Sequence, residues 1–556
     1  MNGRPRRGLA ASGGVAVGNA LVWGEPTAGA ADGDPIRALA AVAEELGRTA
    51  ERLRAEGRRQ EAEILEANRL IAEDPTLIAD VERLSSELSA GEALRSATEA
   101  HADVLAALAD PLLAARATDV RQLGSRAIRI LEGTGAPLAS GTSILVAKDL
   151  GPADVAELQL GRGSIEGIAL AEGAVTSHAA IIARSLGVPM VVALGDDILG
   201  LSPGSTVVLD GDNGTLEVNA DDTTLAQAER RLEWSRRRKD ELAAQRALPA
   251  VTTDGRVVTL LCNASTAEEV ALGLAAGAEG VGLLRTELAF LDSSTWPCER
   301  DHSAALAPVL GLLDGRIATV RTLDFGADKT PQFLEGTDER GLALMLAHPD
   351  ALAAQLRAIV ASAGGSNLRI LLPLVEEAAQ VTAVRALLDE PIVLGAMIET
   401  PKAVRHGSDI AEAADFLSIG TNDLVQYTLG LDRQRPLASA TTAADPEVFA
   451  LIAEAVRAAH GAGRAIEVCG EAASDPAFAV LLVGLGVDEL SASPARLDEL
   501  RAAVRRISVS DAANAARLAL TASTAEQALA PARELLLGEL RDETGEVVGG
   551  LRRIGA

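Results

Sequence analysis

Beyond Pro249 the chain repeats one alternation, a short apolar run followed by a helical pattern, and this repeat limits the fold more than any other feature. The runs are "VVTLLCN", "GVGLLRTE", "IATVRTLD", "LRILLPLV", "IVLGAMIE", "FLSIGTND", "AIEVCGE" and "VDELSAS". Each is rich in Val, Ile and Leu and short enough for a buried strand, and each separating stretch carries apolar residues at three-to-four spacing. Eight such units over ~250 residues predict a closed (β/α)₈ barrel. An open doubly wound sheet is the alternative, because spacing alone does not prove closure. In a closed barrel the C-terminal strand ends converge on one mouth, so residues at those ends are expected to share a pocket.

Upstream the texture differs. From Ile36 to Leu131 the periodicity is helical with few Gly or Pro, as in "ALAAVAEELGRTAERLRAEGRRQEAEILEANRLIAED", which predicts an all-α subdomain. Between Gly141 and Asn219 short β runs ("SILVA", "IEGIAL", "VPMVVAL", "STVVLDG") alternate with helical pieces, and a β-like start covers Val15 to Trp23. The charged segment "DDTTLAQAERRLEWSRRRKDELAAQRAL" reads as a linker helix. The expected organisation is an α/β domain from 1–33 and 137–220, a helical insertion at 34–136, a linker helix at 221–248 and the barrel at 249–556.

Composition excludes several classes. Aromatics are 2% of 556 residues, too few for a base-stacking surface, and a formal net charge of -28 opposes the phosphates of nucleic acid. Cys262, Cys298 and Cys469 form no CxxC pair, so neither a disulfide framework nor a structural zinc site is expected, and a cytoplasmic location fits. The opening "MNGRPRRGLAASGGVAVGNALVW" has basic residues before an apolar stretch, but Gly, Ser and Asn interrupt it. No apolar run reaches the ~18 residues of a membrane span, so no membrane insertion is expected.

The residues at the expected strand ends are Asn263, Arg285, Arg321, Glu399, Asn422, Asp423, Cys469 and Glu471, with Arg433 following in "GLDRQR". Taken singly, each could be a surface ion pair or a strand-end cap. Together they describe a site: guanidinium forks bind phosphate or carboxylate in bidentate fashion, and paired carboxylates suit Mg²⁺. Such a mouth would hold a small phosphorylated acid on a metal.

A second feature lies in "EGAVTSHAAIIARSLGVPMVV". Thr176 or Ser177 is a natural N-cap, and the apolar stripe after it ends at Gly187 and Pro189. His178 therefore falls in the first turn of a helix, where free N–H groups favour an anion. It could merely cap or pack there. A metal ligand is disfavoured because no His or Cys partner sits at ligand spacing. A nucleophile that becomes phosphorylated would gain from the location.

"GAVTSHAAIIAR" and "DFLSIGTNDLVQYTLGLDR" resemble the two signatures of the phosphoenolpyruvate-utilising enzymes, and "GLLRTE", "VRTLD", "MIETP" and "VCGE" follow in the family's order. The likeness is to the branch that phosphorylates a carrier protein, and it covers nearly the whole chain. It implies a swivelling phosphohistidine domain, a helical subdomain that docks the phosphocarrier protein HPr, and a barrel that binds phosphoenolpyruvate and forms a homodimer. It implies Mg²⁺ on Glu399 and Asp423, and substrate held by Arg285, Arg321, Arg340, Asn422, Asp423 and Arg433. His178 would accept the phosphoryl group, Cys469 would protonate the enolate, and "RATDVR", with Arg116, Asp119 and Arg121, would contribute to carrier contact. Two segments depart from the pattern: "NPxLGxRxxR" has become "EGTDERGLALML", with Arg340 as the surviving arginine, and "GGDK" has become "GADK". These departures leave a weakened regulatory paralogue open, and the shared signatures leave open a dikinase relative.

Overall fold

The structure is a computed structural model describing residues 5–24, 26, 33–55, 58–107, 111–134, 141–158, 165–175, 177–326, 330–334, 336–337, 339–431 and 440–537. The chain forms two compact units, Met1–Arg237 and Arg238–Val548.

The first unit is built on an eight-stranded sheet. Its strands are β1 (Arg6–Arg7), β2 (Leu9–Ser12), β3 (Val15–Trp23), β4 (Ser143–Ala147), β5 (Ile165–Leu170), β6 (Met190–Val192), β7 (Thr206–Asp210) and β8 (Thr215–Val218). The order is β1-β8-β7-β3-β4-β5-β6-β2, with β3 to β6 parallel and β7, β8, β1 and β2 running antiparallel to their neighbours. Between β3 and β4 the chain inserts α1 (Pro35–Ala55), α2 (Arg59–Ala72), α3 (Pro75–Leu84), α4 (Ala90–Ala106) and α5 (Pro111–Glu132). These begin where the sequence supplies caps: Asp74 with Pro75 starts α3, and Ser89 with Glu92 forms a capping box on α4. Two more helices, α6 (Pro152–Leu158) and α7 (His178–Leu186), cover the sheet face turned to the insertion. One core joins these helices to Leu145, Ile168 and Met190, while Ile144, Val146, Val207 and Leu209 fill the other face.

Arg126 ties the insertion to the sheet domain. Its buried guanidinium reaches Asp154 on α6 at 2.7 Å and Glu45 on α1 at 2.9 Å. The surrounding carboxylates hold it charged despite burial, raising its pKa further. Helix α8 (Asp222–Ala244) follows β8.

The second unit contains a closed parallel barrel of β9 (Thr259–Ala264), β10 (Gly280–Leu284), β11 (Ile317–Arg321), β12 (Asn367–Leu372), β13 (Val393–Ile398), β14 (Phe416–Ile419), β15 (Ala465–Val468) and β16 (Glu489–Ala492). All eight runs singled out in the sequence are barrel strands, and pairing of β16 with β9 closes the ring, which removes the open-sheet alternative. Alternation then sorts the side chains. Leu417 and Ile419 point out to the helical shell, whereas Phe416 and Cys469 pack inside with Leu283, Leu371 and Met397. Gly395 lies directly under the Phe416 ring, where any Cβ would overlap it. In a chain so poor in aromatics, that glycine makes room for the Phe416 ring inside the barrel.

Candidate active sites: a helix-end histidine and a barrel mouth

Helix α7 opens at His178. The Ser177 side chain caps it by accepting from the Ala180 N–H at 3.2 Å, and Gly187 closes it in the left-handed region at φ 66°; Thr176 lies outside the described residues. The His178 ring is 22% exposed, and its Nδ1 lies 2.9 Å from Oδ2 of Asp119 on α5. Asp119 is almost fully buried and also meets Arg116 at 3.3 Å. Arg121 pairs with Asp103 at 2.7 Å on the exposed helical surface. Of the three residues assigned to carrier contact, Asp119 is thus the partner of His178, while Arg116 and Arg121 remain partly exposed. With Nδ1 facing a carboxylate, the neutral ring carries its proton there and presents the Nε2 lone pair. The sequence reading paired His178 with no side chain. The signal was an acid in a helical segment, but 59 positions separate the two residues.

At the barrel mouth, Arg321 ends β11 and is fully enclosed, with Nη2 2.7 Å from Glu287 and Nη1 3.1 Å from Asp324. Arg340 stands opposite, 2.9 Å from Asp423 and 3.5 Å from Asp324. Glu399, just beyond β13, is buried and accepts the Leu374 N–H at 2.7 Å. Burial, then the charges of Asp423 and Asp324, push its carboxyl up to about 8, against an opposing pull from Arg321. Asp423 sits in the first turn of the helix Thr421–Leu429. Asn422 beside it accepts the Glu471 N–H at 3.0 Å.

Cys469 follows β15 and is buried, 3.2 Å from the Ser418 hydroxyl. Burial, aided by the nearby Glu467 carboxyl, pushes its thiol up to about 12, so it holds its proton at neutral pH. Asn263 joins this group by donating to the Cys469 carbonyl at 3.1 Å and accepting from Ser491 at 2.6 Å. A cavity of 510 Å³ opens beside them, lined by Asn263, Arg285, Glu471 and Arg496 among others. Arg321, Glu399, Asp423 and Cys469 are not part of its wall. Arg285 and Asn263 thus face an open cleft, while the acidic cluster is bound up with its own arginines.

Arg433 lies outside the described residues, as does the "ADK" of "GADK". Asp324 and Glu287 were not singled out in the sequence as site residues, though both sit in the quoted "VRTLD" and "GLLRTE".

Three family models match: "PEP-utilising enzyme, N-terminal" over 7–116, "PEP-utilising enzyme, mobile domain" over 140–214, and "PEP-utilising enzyme, PEP-binding domain" over 239–509. Among curated proteins, the chain is 39% identical over 448 residues to a multiphosphoryl transfer protein of Xanthomonas campestris pv. campestris, covering 77% of this chain and 53% of that one. A multiphosphoryl transfer protein of Rhodobacter capsulatus is 37% identical, with 77% and 54% covered. The chain therefore spans about half the length of these two relatives. A phosphoenolpyruvate-protein phosphotransferase of Streptomyces coelicolor is 38% identical over 453 residues, covering 78% of this chain and 80% of the relative. With His178 and the barrel mouth each falling inside a matched domain, the chain belongs to the phosphoenolpyruvate-utilising enzymes.

Proposed function

We propose that this chain takes a phosphoryl group from phosphoenolpyruvate onto Nε2 of His178, releasing pyruvate, and passes it to a histidine of the phosphocarrier protein HPr. This is the first step of sugar uptake by the phosphotransferase system. The observation that carries the reading is the 2.9 Å contact between Asp119 and His178 Nδ1. It supports a tautomer with the proton on Nδ1 and the Nε2 lone pair free to attack, at a helix N-terminus where the phosphoryl dianion would meet free amides. Asp119 also stabilises the imidazolium-like ring that forms as the new N–P bond develops.

The barrel supplies the other half. Arg285, Arg321, Arg340, Asn422 and Arg433 would grip the phosphate and carboxylate of the substrate. Arg321 and Arg340 now bind acids, so an arriving phosphate competes for the same forks. Among the described residues no cluster of three or more metal-type ligands is formed, yet the donor set fits Mg²⁺. Glu399 and Asp423 are hard oxygen donors, Glu399 is crowded by like charges, and Oδ1 of Asp324 has no hydrogen-bond partner among the described residues. Bound there, Mg²⁺ would neutralise charge on the transferring phosphoryl group. Cys469, still protonated, would deliver its proton to the enolate carbon. One imidazole cannot reach the barrel mouth and a carrier together, so the reading includes a swivel of the histidine domain. It also includes docking of HPr on the helical insertion beside Arg116 and Arg121, a cytoplasmic location and a homodimer formed through the barrel. Among the described residues no helix is long and apolar enough to cross a membrane.

The test is partial-reaction chemistry on the full chain. With phosphoenolpyruvate and Mg²⁺, label from [¹⁴C]pyruvate is expected to enter phosphoenolpyruvate. A chain that only binds the substrate shows no exchange.

A further inference from the structure

The barrel interior below Cys469 holds polar groups that the reading above leaves unused. Glu467 lies two residues before Cys469 on β15, so both point inward. It is 1% exposed, and neither carboxyl oxygen has a hydrogen bond of proper length and angle among the described residues. The Ser418 and Ser491 hydroxyls nonetheless face it from the neighbouring strands β14 and β16. Gly282 on β10 makes room for the meeting, since a Cβ there would strike both the Glu467 carboxyl and Ser491. Below Glu467, Arg369 on β12 holds Glu489 on β16 in a two-armed pair at 2.7 and 3.1 Å. Those two side chains are 21% and 10% exposed. Above it, the Ser418 hydroxyl donates to Cys469 Sγ at 3.2 Å.

A buried acid without full hydrogen bonds costs stability and calls for an explanation. We infer that Glu467 is the proton store of Cys469, recharging the thiol through the Ser418 hydroxyl. The inference rests on Cys469 being the proton donor of the proposed reaction. Cys469 gives its S–H proton to the enolate carbon, forming the methyl C–H of pyruvate and leaving a thiolate. The thiolate takes the Ser418 O–H proton as Ser418 takes the carboxyl proton of Glu467, so one thiol is restored and one carboxylate is left. Solvent then returns a proton to Glu467 through the lower end of the barrel, where the Arg369 side chain of the Arg369–Glu489 pair is partly exposed. Burial, with Glu489 facing it and Arg369 only partly opposing, keeps the Glu467 carboxyl well above the usual range, so a proton is available to give. Glu467 acts only through Cys469 and does not touch the substrate.

Glu467→Gln keeps the shape and removes the transferable proton. Full-length variant and wild type would be compared by [³²P]phosphoenolpyruvate labelling, by [¹⁴C]pyruvate exchange into phosphoenolpyruvate, and by NMR of deuterium entering the pyruvate methyl group from D₂O. The expected result is an unchanged extent of labelling, exchange that continues because the Cys469 thiolate can take its proton back from pyruvate, and a deuterium yield per exchange event at least about tenfold lower than wild type, because the donor is no longer replenished from solvent. A lesion that merely loosened packing would not change that ratio. Ser418→Ala, which leaves Glu467 in place, should show the same lowered ratio and carries the test if Glu467→Gln does not fold. A wild-type deuterium ratio in a folded variant would overturn the inference while leaving the proposed function standing. Absence of labelling in the wild type would instead remove the proposed function itself.

Discussion

His178 depends on Asp119 for two separable things, ring orientation and charge. Asp119→Asn keeps a hydrogen-bonding group at Nδ1 but removes the negative charge that favours the developing imidazolium. The expected outcome is a phosphorylation rate lowered at least about tenfold with little change in thermal stability, measured by rapid-quench labelling. An unchanged rate would assign Asp119 a packing role only. Glu399 makes a prediction through pH. Its carboxyl is raised from 4.5 to about 8, so in that window the folded chain holds a proton that the unfolded chain has released. Stability contributed by this group is therefore complete below the lower value and is lost as pH rises toward the higher one. In chelator, melting temperature should fall across that window, and Glu399→Gln should flatten the slope. Added Mg²⁺ should restore stability in the wild type at the alkaline end, because a cation relieves the same repulsion as a proton. At this scale the sequence was only partly legible. The acids, arginines and thiol could be collected because they stand at strand ends. The pairing of His178 with Asp119 required knowing which face of α5 packs on α7, and Arg340 stood in a segment that had lost the family's usual spacing. Glu467 could have been found from strand alternation, two positions before Cys469, but a glutamate inside an apolar strand reads as an exposed residue.

Among the elements, the barrel strands were the most legible, since their period changes sharply from the helices around them and several lead straight into a residue able to do chemistry. The reason a closed ring could be filled by so few aromatics was not visible. It lies in pairings such as Gly395 beneath Phe416. Gly395→Ala would drive a methyl group into that ring and is expected to destabilise the barrel by about 1–3 kcal/mol, read by chemical denaturation of the full chain. Wild-type stability would mean that Phe416 can move aside. Helix α7 was legible from its cap and its glycine stop. Ser177→Ala removes the side-chain acceptor for the Ala180 N–H and should cost about 1 kcal/mol, with increased amide exchange over the first turn of α7 as the check.

For the whole molecule, the division into Met1–Arg237 and Arg238–Val548 places His178, the proposed nucleophile, in one unit and the barrel-mouth charges proposed to bind substrate in the other. The first unit carries its own cores on both faces of its sheet, so a fragment ending at Arg237 is expected to fold. That fragment should keep the Asp119–His178 pairing, seen by imidazole ¹⁵N shifts, yet take no phosphoryl group from phosphoenolpyruvate. Such a split of the proposed function over two units follows from the alternation and the lone histidine. The most direct test of the account is radiolabelling of the full chain with [³²P]phosphoenolpyruvate and Mg²⁺, beside His178→Ala. The account predicts one acid-labile, base-stable phosphoryl group per chain in the wild type and none in the variant. Equal labelling of both, or label stable to acid, would contradict it.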